Sequence, residues 1–97
     1  MTKRITQKEF DRRSAEVRET PEYQAAYRAA QLAYELGKKV RAAREQRGWA
    51  QTELARRAGM KQHATSRFEA GDSVPTLQTL DRIAAALEVH LNIGFAA

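Results

Sequence analysis

The chain has 97 residues, 42% of them hydrophobic, and a formal net charge of +5, which suffices for one compact domain with an arm. It contains no cysteine, which excludes a disulfide framework and a thiolate zinc site, and His63 and His90 are too far apart in the sequence to suggest another metal motif. No run approaches the roughly eighteen apolar residues of a membrane span, and the N-terminus lacks the apolar stretch of a signal peptide, so we expect a cytoplasmic protein with no membrane partner.

The N-terminal part of the chain is predicted to contain a charged arm and a long helix. Residues 1–19 hold few apolar side chains among dense mixed charges at no clean period, so we expect a mobile arm. Thr20-Pro21-Glu22 predicts a helix start, because threonine caps free amide groups and proline suits the first helical position. Helical spacing of apolar residues then continues to about Arg47, and Gly37 is the point where this helix can kink or divide.

Aromatic and apolar side chains of this N-terminal part are candidates for partner binding. The three tyrosines of the chain, Tyr23, Tyr27 and Tyr34, follow one another at offsets of four and seven, which places them on one helix face. Tyrosine is common at interfaces, but this stripe can equally pack against the protein's own helices. The arm is likewise either a solvated terminus or a segment that orders on a partner through Phe10 and Val17.

The central stretch, Trp49–Gly71, predicts two short helices at a sharp angle around one glycine turn, which is a helix-turn-helix. The first helix starts at Ala50 or Gln51 and ends at Gly59, because glycine tolerates the backbone conformation that such a turn requires. The second helix runs over residues 62–70. The side chains expected to point inward are Leu54, Ala55, Ala58, Thr65 through its methyl group, and Phe68.

The C-terminal part predicts one helix and one strand. After a turn at residues 72–75, a helix starts near Thr76. Its apolar stripe, expected in the core, is Leu77, Leu80, Ile83, Ala84 and Leu87. From residue 89 the apolar period changes to two, which is typical of a strand, with Val89, Leu91, Ile93 and Phe95 on one side. Because a lone strand leaves its backbone groups unpaired, we expect two tails to pair antiparallel in a homodimer; the alternative is a tail folded flat on its own domain.

The outer face of the second central helix carries hydrogen-bond donors and positive charge, as DNA recognition requires. In a helix-turn-helix, the second helix enters the major groove with its N-terminal side chains at the base edges. Gln62, His63 and Arg67 are therefore candidates for base contacts, since glutamine can pair with adenine and arginine with guanine. The candidates for phosphate contacts are Gln51, Lys61 and Ser66. Any one of these residues alone is more often merely solvated, so the prediction depends on the whole set.

A spaced pattern runs through the central and C-terminal helices: Gln51-x-x-Leu54-Ala55-x-x-x-Gly59, then Ser66-x-x-Glu69-x-Gly71, Pro75, Leu80 and Ile83-Ala84-x-x-Leu87. Over residues 37–88 it closely resembles the Xre or lambda-repressor-like helix-turn-helix domain. The resemblance implies an all-α fold with a five-helix domain and double-stranded operator DNA as partner. It further implies that Gln51 contacts phosphate and braces Gln62, and that Arg44 and Glu69 form a structural ion pair.

The layout of the whole chain carries a second resemblance. A charged arm and a Thr20-Pro21-Glu22-Tyr23-x-x-Ala26-Tyr27 helix precede the domain, and a Val89-x-Leu91-x-Ile93 segment follows it. This layout resembles HigA-type antitoxins. The resemblance implies that residues 1–36 bind a HigB toxin, a ribonuclease of the RelE fold, that residues 37–88 repress the protein's own operon, and that residues 89–97 dimerise. The toxin-binding side chains would be Phe10, Val17, Tyr23, Tyr27 and Tyr34.

Two other functions compete with the antitoxin. In a stand-alone dimeric repressor the N-terminal helix would only extend the dimer, which leaves the tyrosine-lined helix and the charged arm without a purpose. An enzyme would need a nucleophile with its base, a metal cluster or a glycine-rich phosphate loop, and the sequence offers none of these. We therefore expect a binding protein without cofactors.

Overall fold

The computed structural model describes residues 5–97, and this part of the chain contains five α-helices and no β-strand. The helices are α1 (Gln7–Arg18), α2 (Pro21–Gln46), α3 (Gln51–Ala58), α4 (Gln62–Glu69) and α5 (Leu77–Leu87). Contacts divide the chain into two compact units with a boundary between Ala30 and Gln31. Over the described range, every helix is too short or too polar to span a bilayer.

α1 corrects the expectation of a mobile arm for residues 7–18, which are helical, whereas residues 1–4 of that arm lie outside the described residues. The hydroxyl of Thr6 caps this helix by accepting a hydrogen bond from the backbone N–H of Glu9 at 3.1 Å. Threonine followed three residues later by glutamate is the sequence signal of a capping box at a helix start. The dense mixed charge of the segment obscured this signal. The helix leaves the predicted partner-binding side chains Phe10 and Val17 exposed.

α2 begins where the sequence predicted, with the Oγ1 of Thr20 accepting a hydrogen bond from the N–H of Tyr23 at 3.2 Å. The helix continues through Gly37, so this glycine neither ends nor divides it. Its role is steric: a Cβ atom at Gly37 would lie 2.2 Å from the backbone oxygen of Phe68 and 3.1 Å from that of Glu69. Gly37 therefore allows α2 to pass directly against the C-terminal end of α4.

One apolar core lies among α3, α4, α5 and the C-terminal half of α2. Its buried members are Val40, Leu54, Ala58, Phe68, Leu80, Ile83 and Leu87. The predicted inward faces of α3 and α4 are confirmed, since Leu54, Thr65 and Phe68 are each 0% exposed. The buried hydroxyl of Thr65 donates to the backbone oxygen of Lys61 at 3.2 Å, which satisfies it.

Two details of the predicted domain are wrong. It has four helices rather than five, because α1 lies outside it and the C-terminal half of α2 serves as its first helix. Leu77 was expected in the core but is 65% exposed. It is the first residue of α5, where the chain arrives from an exposed loop, so the apolar stripe reaches the core only from Leu80 onward.

The predicted C-terminal strand is also wrong, because residues 89–97 have no regular secondary structure. The side chains assigned to its dimer face are all exposed: Val89, Leu91, Ile93 and Phe95. A period of two determines only which side chains would share a face, whereas a strand also needs a neighbouring edge for its backbone groups. Residues 5–97 supply no such edge, so the tail is not a strand in the single chain.

Candidate nucleic-acid interface

α3 and α4 are joined by the glycine turn that the sequence predicted. Gly59 ends α3 with a φ of 67° and a ψ of 34°, a left-handed conformation that strains any residue with a side chain. The N–H of Met60 then donates to the backbone oxygen of Ala55 at 2.8 Å, which closes the helix end. α4 starts immediately after Lys61, whose backbone is extended.

The outer face of α4 brings together most of the predicted DNA-contacting residues. Because Thr65 and Phe68 are buried, the opposite side of the helix faces solvent. That side presents Gln62, His63, Ser66 and Arg67, with Lys61 at the N-cap, and all five residues are exposed. Residues 62 and 66, and residues 63 and 67, are each about one helical turn apart, so the four helical side chains form one stripe.

The charge of this stripe is positive because the one acidic residue of α4 is turned into the core. Glu69 is 6% exposed, and it accepts hydrogen bonds from the guanidinium of Arg44, Nε to Oε2 at 2.8 Å and Nη2 to Oε1 at 2.9 Å. The same guanidinium donates from Nη1 to the backbone oxygen of Trp49 at 2.6 Å, and Glu69 raises the pKa of Arg44. Arg67 is thus the charged residue of the stripe, and Lys61 adds a second positive charge at the N-cap of α4.

Gln51 differs from the other predicted contacts because its side chain already has a partner in the protein. It is half-buried at the N-terminus of α3, and its Nε2 donates to the Oε1 of Glu69 at 3.1 Å. The resemblance implied that Gln51 braces Gln62, but the hydrogen bond runs to Glu69 instead. Glu69 therefore joins three helices, since it accepts from Arg44 of α2 and from Gln51 of α3 while belonging to α4.

Three arginines outside the predicted site have structural contacts that the sequence reasoning missed. Arg82 of α5 donates from Nε to the backbone oxygen of Ala58 at 3.1 Å, which closes the C-terminal end of α3. Arg56 and Arg57 both pair with the carboxylate of Glu53, and together they lower its pKa to about 2. Opposite charges three or four residues apart on a helix are a sequence signal for ion pairs, and this signal identifies Arg56 and Arg57 but not Arg82.

The predicted toxin-binding side chains fall into both units. In the first unit, Phe10, Val17 and Tyr23 line an open hollow of about 500 Å³, together with Arg13 and Arg18. The rings of Tyr23 and Tyr27 are stacked with centroids 6.5 Å apart. Tyr34 belongs to the second unit, where the Nζ of Lys38 lies 5.5 Å from its ring centroid. The tyrosines remain exposed rather than buried against the protein's own helices.

The described part of the chain contains no group of three or more histidine, cysteine, aspartate or glutamate side chains that could hold a metal ion. His63 lies on the outer face of α4, and His90 lies in the tail.

Comparison with known proteins identifies relatives of this region. The helix-turn-helix family model matches residues 40–93, which is more than half of the chain. Antitoxin HipB of Escherichia coli strain K12 is 36% identical over 59 residues, which cover 61% of this chain and 67% of that protein. Antitoxin HipB of Escherichia coli O6:H1 is 34% identical over 59 residues, which cover 61% of this chain and 63% of that protein. The match thus spans about two-thirds of the length of these relatives.

Proposed function

Because this chain belongs to the helix-turn-helix family, we propose that it is a sequence-specific repressor that reads double-stranded operator DNA with α4 in the major groove. The observation that supports this most directly is the exposed stripe on α4, whose one acidic neighbour is paired inside the core. Gln62, His63 and Arg67 contact base edges, while Lys61 and Ser66 hold phosphates. The protein acts in the cytoplasm by binding DNA, and it catalyses no reaction.

Gln51 contributes a phosphate contact in this proposal. One hydrogen of its amide nitrogen is held by Glu69, and an amide nitrogen carries two. The second hydrogen is available to a phosphate oxygen at the N-terminus of α3, where the free backbone amides also favour an anion. Glu69 thus orients the amide without touching the DNA itself.

Two substitutions on the stripe test the division between base and phosphate contacts. Arg67→Ala removes a bidentate base contact, so we expect the preference for operator over random DNA to fall by about 1–3 kcal/mol. Lys61→Ala removes a phosphate contact, so affinity should fall alike for both DNAs. The slope of log affinity against log salt concentration should also become less steep by about one. Fluorescence anisotropy on the two duplexes over a salt series measures both effects. Equal losses on both duplexes for both variants would contradict the assignment.

We further propose that the protein is the antitoxin of a type II toxin–antitoxin system and represses its own operon. Both relatives bear the name antitoxin, which supports this role for a chain of the same family. The toxin that we propose is a HigB ribonuclease of the RelE fold, on the resemblance of the chain's layout to HigA-type antitoxins. Its binding surface would be the apolar side chains of α1 and the start of α2, including Phe10 and Tyr27, which are 55% and 57% exposed.

A pair of single substitutions in the full-length chain separates toxin binding from DNA binding. Tyr27→Asp places a charge in the exposed tyrosine face, so a co-purifying ribonuclease from the native host should be lost while operator affinity is unchanged. Arg67→Ala should do the reverse. If the unaltered chain and Tyr27→Asp both bind the operator and no toxin co-purifies with either, the stand-alone repressor is the better description.

Repression by this protein would involve a homodimer. Two copies related by a two-fold axis would present two α4 helices about 34 Å apart, which suits the half-sites of a palindromic operator.

A further inference from the structure

The hollow of the first unit is lined by one continuous face of α1. Four lining residues fall at the spacing of three, four and seven that places side chains on one side of a helix: Phe10, Arg13, Ser14 and Val17. Ile5, before the helix, and Tyr23 of α2 extend the apolar wall. None of the residues of α1 is buried. An amphipathic helix normally packs its apolar face against a neighbour, and α1 lacks that packing.

The hollow is preformed, because hydrogen bonds hold the corner between α1 and α2. The Oγ1 of Thr20 donates to the backbone oxygen of Val17 at 2.7 Å and accepts from the N–H of Tyr23 at 3.2 Å. The Nε2 of Gln24 donates to the backbone oxygen of Arg18, which ties the first turns of α2 to the end of α1. Val17 and Tyr23 therefore stand on either side of a fixed corner and leave the space between them open.

The charge of the hollow is positive. Arg13 and Arg18 line it, and no acidic residue of the described range does. Within residues 5–97 neither of these arginines forms an ion pair, whereas Arg12, on the opposite side of α1, pairs with Glu16 at 4.0 Å. The hollow thus combines apolar walls with two cations that have no carboxylate beside them. A complementary partner offers apolar side chains flanked by carboxylates.

We propose that this hollow binds a segment of the toxin in which apolar side chains are flanked by aspartate or glutamate. The walls bury the apolar side chains, and Arg13 and Arg18 pair with the carboxylates. The inference rests on the proposed function, because it takes the partner to be that ribonuclease. An RNA-binding surface carries positive charge, so a positive hollow fits the toxin outside its RNA-binding face. The hollow therefore anchors the toxin and does not itself cover the RNA site.

Two defined peptides test the chemistry of the hollow without the toxin. Each is an amphipathic helix of about twenty residues with leucine and phenylalanine on one face. The positions beside that face are glutamate in one peptide and lysine in the other. Isothermal titration calorimetry with the full-length chain should give about tenfold tighter binding of the glutamate peptide, because two ion pairs replace two like-charge contacts. Combining Arg13→Glu with Arg18→Glu should reverse this preference.

Single substitutions locate the binding in the hollow. Arg13→Glu should weaken binding of the glutamate peptide by about fivefold. Arg12→Glu is the matched control, since it changes the net charge equally on the side of α1 that faces away from the hollow. It should leave the affinity within about twofold. Phe10→Ala should weaken binding by about fivefold through lost apolar contact. Circular dichroism checks that each variant keeps its helix content.

Three outcomes would overturn the proposal: binding of neither peptide, equal affinity for both, or equal losses from Arg12→Glu and Arg13→Glu. Co-purification of the toxin separates this inference from the proposed function. A toxin that is lost with Tyr27→Asp but retained when Arg13→Glu and Arg18→Glu are combined would overturn the hollow as its anchor and leave the antitoxin role standing. Selective binding of the glutamate peptide with no co-purifying toxin would contradict the antitoxin role and leave the chemistry of the hollow standing.

Discussion

Gly37→Ala is expected to destabilise residues 31–97 although alanine is the better helix former. In a helix interior, replacing glycine by alanine raises the free energy of unfolding by about 1 kcal/mol through helix propensity alone. At Gly37, however, the added methyl carbon would lie 2.2 Å from the backbone oxygen of Phe68, so α2 and α4 would have to separate by about 1 Å. Overpacking costs about 1–3 kcal/mol, and the upper end applies because a helix carbonyl cannot rotate away. The net loss should be about 2 kcal/mol.

Urea denaturation followed by the fluorescence of Trp49 measures this loss. Trp49 is the one tryptophan of the chain and packs against the core, so it reports on residues 31–97. Ala42→Gly is the matched control, because residue 42 is exposed on the same helix and the change should cost about 1 kcal/mol through helix propensity alone. If Gly37→Ala were more stable than the wild type, α2 and α4 would not approach each other as closely as described.

Two further substitutions test the buried and exposed ion pairs. Glu69→Ala leaves the buried guanidinium of Arg44 without its carboxylate and should cost about 3–5 kcal/mol in urea denaturation; a loss below about 1 kcal/mol would contradict the role of this pair. Glu53 has its pKa lowered from 4.5 to about 2 in the folded chain, so the unfolded chain binds the proton first as the pH falls. The stability difference between the wild type and Glu53→Gln should be constant above about pH 4.5 and shrink as the pH approaches 2. A difference that does not change over this range would show that the ion pairs of Glu53 do not stabilise the fold.

Much of the candidate site was predictable because it depends on local signals. A glycine between two short amphipathic helices indicates the turn at Gly59, and helical periodicity separates inward Phe68 from outward Arg67. Both features follow from backbone geometry within one or two helical turns. The partner of Gln51 was not predictable in this way, because Glu69 lies eighteen residues away and only the packing of α3 against α4 brings the two side chains together.

The sequence by itself determined where α3 and α4 begin and end and which of their faces are buried, since caps, glycines and apolar periods act over a few residues. Tertiary structure alone decided three other features. Gly37 is a contact point rather than a break, because the limiting distance is to a carbonyl of another helix. Leu77 is exposed because the chain reaches the core only farther along α5. The period-two tail forms no strand, because strand formation depends on a neighbouring edge that a pattern within one segment cannot supply.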